Sequence, residues 1–350
     1  MKLFNILFTL FGVVTVIFFL FQILPGDPAR MMMDQNEDVE QLEIIKKKYG
    51  FDEPILNQYL YYLNDLSIIS IHSKNPEKIN FIRENKYSFT KIYDFQNSTL
   101  VLKFPYLRES YQRRGVKVST IIMDTFPNTV VLAISSILFA TVFGLLLGIL
   151  SALYKETLFD NSIQLFSTFG MSMPSFLSSI IFAWIFGFVL ADITGLNMTG
   201  SLFELDDFGD EYRLELKNLI LPSIVLGIRP IAVISMMMRN SLIETLKKNY
   251  VITAYAKGLS KSKVILNHCL KNSLNPVITA LSGWFASLLA GSVFVEYIFG
   301  WNGLGREIVN SLNLLDVPVR IGAVIVVSFS FIMINIFVDY VYKFLDPRIS

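Results

Sequence analysis

Long uncharged runs punctuate this chain, and each is about the length a helix needs to cross a bilayer, roughly 20 apolar residues. Leu3–Leu24 is the first, Thr129–Tyr154 the second and Asn161–Leu190 the third, the last with Gly170 and Pro174 near its start. The fourth covers Asn218–Met238 and is interrupted by Arg229 and Pro230; Ser273–Val295 is the fifth and Ile321–Val338 the sixth. The first run is longer than the apolar part of a signal peptide. It leads into Leu24-Pro25-Gly26-Asp27-Pro28 instead of a small-residue cleavage site, so it reads as a retained helix. The pattern predicts an all-α polytopic membrane protein with six transmembrane helices.

Between the first two runs lies a long segment from Pro25 to about Thr125. Leu42, Ile45 and Tyr49, then Ile55, Tyr59, Leu60 and Leu63, recur at helical spacing with Gly50 and Pro54 between them. Two short amphipathic helices are expected there. From Ile68 to Val118 the periodicity fades into scattered aromatic and polar residues such as Phe89, Tyr93, Phe95, Phe104, Tyr106 and Tyr111. That stretch reads as a small external cap or an irregular loop without direct chemistry.

Composition agrees with a membrane class: 53% of the residues are apolar and 17% charged. The net charge of +1 averages over very unequal segments. Between runs four and five, Arg239, Lys247, Lys248, Lys257, Lys261, Lys263 and Lys271 face the single acid Glu244, which places that loop in the cytoplasm. The connection from Ala191 to Lys217 carries Asp192, Glu204, Asp206, Asp207, Asp210, Glu211 and Glu215 against Arg213 and Lys217, and belongs outside. Both termini are then cytoplasmic, in keeping with Lys2 at one end and Lys343 and Arg348 at the other.

Catalysis by the chain itself is not expected. It has no glycine-rich loop ending in Lys-Ser or Lys-Thr and no Gly-x-Ser-x-Gly elbow. His72 and His268 lie far apart without a ligand cluster of metal-binding spacing, and the single cysteine, Cys269, reads as a small apolar residue. No cofactor, metal or nucleic-acid partner is expected. Gly144 and Gly148, four residues apart, would let another helix approach closely. Arg229 is the one charge deep inside an apolar run. It either snorkels towards the outer surface or lines a translocation path, where it would meet a substrate carboxylate.

The basic loop contains Tyr250, Val251, Ala254, Tyr255, Gly258 and Leu259 at spacings of three and four, while Thr253, Lys257 and Lys261 face elsewhere. These residues form a short amphipathic helix ended by Gly258, whose apolar side needs a partner. Physical chemistry leaves two partners open, the anionic membrane surface and another protein.

The block Thr253-Ala254-Tyr255-Ala256-Lys257-Gly258-Leu259, continued by His268, Leu270-Lys271-Asn272 and Pro276, resembles the EAA loop of ABC importer permeases in its dipeptide and oligopeptide variant. Ile252 stands where the general motif has glutamate. Further blocks resemble the same family in the same order. They are Leu24–Pro28, Tyr49–Pro54 with Gln58-Tyr59-Leu60, Phe126–Thr129, Glu296 with Phe299, Trp301 and Gly303–Arg306, Asp316 with Pro318, and Asp339-Tyr340 with Leu345–Arg348. The match is poor at about 68–118, which reads as an insertion.

The resemblance implies a type I importer permease divided into a first transmembrane helix (1–24), an extracytoplasmic segment (25–125) and a five-helix core (126–350) with a cytoplasmic coupling loop at 239–275. It implies that Tyr250, Thr253, Ala254, Lys257, Gly258 and Leu259 contact an ATPase, with Ser260–Pro276 as a return helix. The implied partners are a second homologous permease, two separate ABC ATPase subunits, an extracytoplasmic solute-binding protein and the lipid bilayer of a bacterial cytoplasmic membrane. The implied cargo is di- and oligopeptides, with nickel chelates or glutathione as alternatives. Two other classes fit parts of the chain, an ion-coupled secondary transporter and a membrane-anchored scaffold.

Overall fold

The computed structural model describes residues 2–23, 27–33, 39–76, 78–82, 88–206 and 209–345. The Leu24–Gly26 part of the first family-like block and the Asp346–Arg348 ending therefore lie outside the described residues. In chain order the elements are α1 (Lys2–Ile23), α2 (Pro28–Met31), α3 (Val39–Tyr49), α4 (Ile55–Leu66), β1 (Ile69–Ser73), β2 (Phe89–Asp94) and β3 (Ser98–Lys103). There follow α5 (Val118–Leu153), α6 (Leu158–Ser172), α7 (Ser175–Trp184), α8 (Ala191–Thr194), β4 (Phe203–Leu205), β5 (Tyr212–Leu214), α9 (Lys217–Leu246) and α10 (Asn249–Ala256). The last are α11 (Lys261–Val264), α12 (Leu270–Ser273), α13 (Asn275–Gly291), α14 (Val293–Phe299), α15 (Leu304–Asn313) and α16 (Val317–Leu345). Single π turns occupy Ile185–Val189 and Ile265–Cys269. Two compact units emerge, Met1–Asp124 with Glu307–Ser328 and Thr125–Arg306 with Phe329–Ser350.

In the first unit, Val14 and Phe18 of α1 are buried against Tyr59 and Tyr62 of α4 and Ile321 of α16. The Thr15 hydroxyl meets the Tyr59 hydroxyl at 2.6 Å. The turn between α3 and α4 needs Gly50, whose φ is +74°, and a Cβ there would come within 2.5 Å of Ile79. Those two helices fall where the spacing predicts them. The stretch read as a small external cap or an irregular loop holds a three-stranded antiparallel sheet in the order β1-β3-β2, so the all-α expectation is corrected. Ile69 pairs with Leu102 and His72 with Thr99. One face buries the polar Ser70, His72, Thr99 and Lys103, while Ile69, Ile71 and Leu102 point out. The carboxylate of Asp316, at the foot of α16, accepts from the Ser110 hydroxyl and, at 3.1 Å, from the Tyr111 N–H.

In the second unit, α5 and α9 approach as the two glycines suggest: a Cβ on Gly144 would lie 2.8 Å from the Ile234 side chain, and one on Gly148 2.5 Å from the Ser235 carbonyl oxygen. The expected break at Arg229 and Pro230 is absent; α9 runs unbroken through Pro222 and Pro230. The expected single third span is bent instead. Met173 is extended (φ −71°, ψ 129°) because the following Pro174 disfavours the helical region, and the axes on either side differ by 110°. The return segment is likewise interrupted, by the π turn and by a 49° bend between Ser273 and Asn275. Among the described residues, Val118–Leu153, Lys217–Leu246 and Val317–Val338 are long and apolar enough to cross a membrane. The two bent pairs would bring the number to five, and Ile6–Gln22 is a shorter apolar helix.

Candidate functional site

Helix α10 ends in a Schellman turn. The Gly258 N–H reaches the Tyr255 carbonyl at 2.9 Å and the Leu259 N–H the Ala254 carbonyl at 3.4 Å, with Gly258 in the left-handed region at φ +80°. Such a turn satisfies carbonyls that a helix end would leave unpaired, and glycine adopts it without the Cβ penalty. The turn brings Leu259 back onto the helix and starts the return segment.

Two residues fix which side of α10 faces outward. Val251 and Ala254 are buried in one cluster with Met238 and Leu242 of α9 and with Val264 and Cys269 of the return segment, and Leu259 packs half-buried against it. Ala254 and Leu259, taken from the sequence as contact residues, thus hold α10 to its own chain. Tyr250, Ile252, Thr253, Tyr255, Lys257 and Gly258 are exposed. Ile252, in the sequence only a departure from the general motif, is 58% exposed. Across the gap to the return segment, the Asn272 amide donates to the Tyr250 hydroxyl at 2.8 Å.

The same end of the unit is fastened by a buried ion pair. Asp160 is fully buried at the start of α6 and takes Arg239 of α9 through two bonds, Nε to Oδ1 at 2.7 Å and Nη2 to Oδ2 at 2.6 Å. The carboxylate also accepts from the Ser151 hydroxyl, the Glu156 N–H at 2.9 Å and the Gln164 amide at 3.1 Å. Every lone pair of Asp160 is used, which is what keeps a buried carboxylate tolerable.

A second buried carboxylate explains the glycine-rich block after α14. Glu296 accepts from the Ser292 hydroxyl at 2.7 Å and from the Gly305 N–H at 2.7 Å. A Cβ on Gly303 would sit 2.4 Å from its oxygen, so that position needs glycine. The Trp301 indole N–H donates to the Asn128 carbonyl at 3.0 Å, and the Leu304 N–H donates to the Thr129 hydroxyl at 2.8 Å. The cradle therefore locks the start of α15 to α5.

Arg229 lies in the middle of α9, exposed, with no hydrogen bond or ion pair among the described residues. It lines a cavity with Met173 and Ser175, where the third span bends, and with Trp284 and Ser287 of α13. Twelve residues separate it from Lys217, about 18 Å of helix. Among the described residues no group of three or more His, Cys, Asp or Glu side chains could hold a metal ion.

Comparison with known proteins adds a lineage to this geometry. The family described as binding-protein-dependent transport system inner membrane component matches residues 144–350, and the N-terminal part of such membrane components matches residues 1–81. The chain is 32% identical over 357 residues to the di/tripeptide transport system permease protein DppB of Pseudomonas aeruginosa (strain UCBPP-PA14), covering 97% of this chain and 95% of that one. It is 30% identical over 348 residues to the glutathione transport system permease protein GsiC of Escherichia coli (strain K12), covering 99% and 97%. Among solved structures, an inward-facing MetNI methionine ABC transporter aligns with a TM-score of 0.51 at 14% identity, over 65% of this chain and 97% of that one. At that identity the likeness is one of fold.

Proposed function

The chain belongs to the binding-protein-dependent transport system inner membrane components, the permeases of ABC importers, and from this we propose that it forms half of a pathway for di- and oligopeptides. It is a multi-pass protein of the cytoplasmic membrane, and its family works with ATPases and binding proteins. The proposal adds six spans with both termini cytoplasmic, a second homologous permease and two separate ATPase chains. It retains the division at 1–24, 25–125 and 126–350, with the coupling loop at 239–275.

The observation that carries the reading is the outward side of α10. Tyr250, Ile252, Thr253, Tyr255 and Lys257 stand exposed on a helix whose inward side is held by Val251 and Ala254. Covering a side chain such as Ile252 contributes about 1.5–3 kcal/mol, enough for a few such residues to seat a short helix in a cleft of an ATPase. Closure of the ATPases on nucleotide then moves α10, and the return segment from Ser260 to Pro276 passes the movement to α13. Coupling of this kind is a bias between two global states set by the different contacts the helix makes in each. Arg229 faces the path.

The substrate class rests on likeness to peptide permeases along nearly the whole chain, and the glutathione relative favours a second reading, a modified tripeptide. Co-purification with the neighbouring ATPases, followed by ATP-dependent uptake of a peptide panel and glutathione into proteoliposomes, tests both. Uptake driven by an ion gradient without an ATPase would overturn the proposal. Normal ATP-driven uptake by Gly258→Asp would overturn the assignment of the docking face.

A further inference from the structure

The sheet of the first unit presents an apolar face to its surroundings. Side chains two apart share a face of a strand, and the register brings Ile69, Leu102 and Thr90 into one row and Ile71, Leu100 and Tyr93 into the next. Leu100 is half-buried and the other five are exposed. Phe104, one step beyond β3, continues the alternation and is 83% exposed. Charge falls elsewhere: Lys91, Asp94 and Lys103 pair with Val101, Thr99 and Phe89, on the opposite face. A contiguous apolar face of this kind marks a surface that something covers.

Continuity with α1 identifies the cover. Tyr59 of α4 meets the Thr15 hydroxyl at 2.6 Å, and its ring stands 5.3 Å from that of Phe18 and 5.1 Å from that of Phe19. Those three residues of α1 lie four to eight positions before Ile23, about 6–12 Å of helix below its outer end. Helix α4 is therefore sunk beside the outer half of α1, and its exposed Ile55, Leu56 and Leu60 lie at the depth of acyl chains. Asn64, one turn after Leu60, ties α4 to the sheet: its amide donates to the Ile71 carbonyl and accepts from the Ile71 N–H, both at 3.0 Å. From the polar face the Lys103 ammonium donates to the Asp65 carbonyl. These attachments hold the sheet at its β1 edge beside the exposed side of α4, with the polar face spent on the protein and the apolar face free.

We propose that the apolar face of this sheet rests in the outer leaflet of the membrane, with Ile69, Ile71, Leu102 and Phe104 among the upper acyl carbons and Tyr93 at the headgroups. An element of this kind lies on the bilayer by its apolar side without crossing it, and tyrosine suits the headgroup level because its ring is apolar and its tip polar. Charge arranged to complement a partner is what selects one protein over another, and this face offers none, whereas hydrocarbon asks for none. The sheet is then a second foothold in the bilayer, reached from α1 through α4. The inference rests on the proposed reading of α1 as a membrane span with its start in the cytoplasm.

The test places the photo-crosslinking residue benzoylphenylalanine singly at Ile71, Leu102 or Phe104 of the full chain, in membranes that hold the assembled transporter, and reads the mass gained on irradiation. Phe11 and Leu20 of α1 serve as references; both are exposed, and at nine positions apart they lie on opposite sides of the helix. Lys91, exposed on the other face of the sheet, is the comparison. The expected result is the mass of one phospholipid added at the three sheet positions and at the references, and the loss of that adduct at Lys91. If one substitution prevents assembly, the other two decide. An adduct with a second copy of this chain or with another protein at the sheet positions, or no adduct there, while a reference captures lipid, would overturn the sheet's place in the membrane and leave α1 as a span. A lipid adduct at Lys91 equal to that at Leu102 would overturn the assignment of the face. No lipid at either reference would overturn the reading of α1, and the inference with it.

Discussion

The guanidinium of Arg239 lies across the carboxylate of Asp160, each nitrogen of the fork within 2.7 Å of its own oxygen. This joins the start of α6 to α9, one helix before α10. Removing one member of such a pair leaves an uncompensated buried charge, a loss of about 3–5 kcal/mol. Arg239→Leu is therefore expected to lower the melting temperature of the purified transporter sharply. Arg239→Lys, a point charge without the fork, should fall between. The double variant Asp160→Asn with Arg239→Leu should recover part of the loss, and an additive double-mutant cycle would show that the two side chains act independently.

Gly258 separates backbone from contact. No atom lies within 4 Å of where its Cβ would be, so a substitution there strains only the backbone at φ +80°. That strain is about 1–2 kcal/mol for most residues and least for asparagine. Transport measured as uptake per ATP hydrolysed should follow glycine, then Gly258→Asn, then Gly258→Ala, then Gly258→Val, with the amount of inserted protein unchanged. A ratio that stays constant along this series would mean that the Schellman turn does not set the position of α10.

Arg229 sits exposed near the middle of α9, and a charge at such depth facing lipid costs about 2.5–3.5 kcal/mol or more. If it meets a peptide carboxylate, its loss removes a charge-assisted bond, and Arg229→Ala should reduce uptake about tenfold or more. Arg229→Lys should retain much of it. Unchanged uptake and apparent affinity in Arg229→Ala would take Arg229 out of the path.

Much of the second unit is legible in the sequence because its signals are local. Apolar runs mark α5, α9 and α16, and Gly258 marks the end of α10. Gly144 and Gly148 announce a close helix contact that the structure contains. What escaped is non-local or inverted. Asp160 and Arg239 are 79 positions apart; the available signal was that they flank apolar runs at ends assigned to the same side. Pro174 was visible, but a 110° bend depends on what α7 packs against. The sheet escaped because, in β1 and β3, Ser70, His72, Thr99 and Lys103 are buried beside Val101 while Ile69, Ile71 and Leu102 point out, largely the reverse of the alternation that betrays a half-buried strand.

That inverted sheet carries its own test in His72. The imidazole is buried, with Nδ1 donating to the Asn80 carbonyl at 3.1 Å and Nε2 accepting from the Ser70 hydroxyl at 3.0 Å, an arrangement that suits the neutral ring. Burial pushes its pKa below the usual histidine range and the Lys103 ammonium adds to this, against the opposing pulls of the Asn80 bond and Asp65. The unfolded chain takes up the proton more readily, so the stability tied to His72 is fully present above about pH 6.5 and declines as pH falls through that value towards the lower folded-state pKa. Amide exchange across β1 and β3, corrected for its intrinsic rate, should accelerate between about pH 8 and about pH 5. His72→Gln keeps a donor and an acceptor but cannot titrate, and should flatten the dependence. A variant with the same acid sensitivity as the wild type would move the cause to the neighbouring carboxylates.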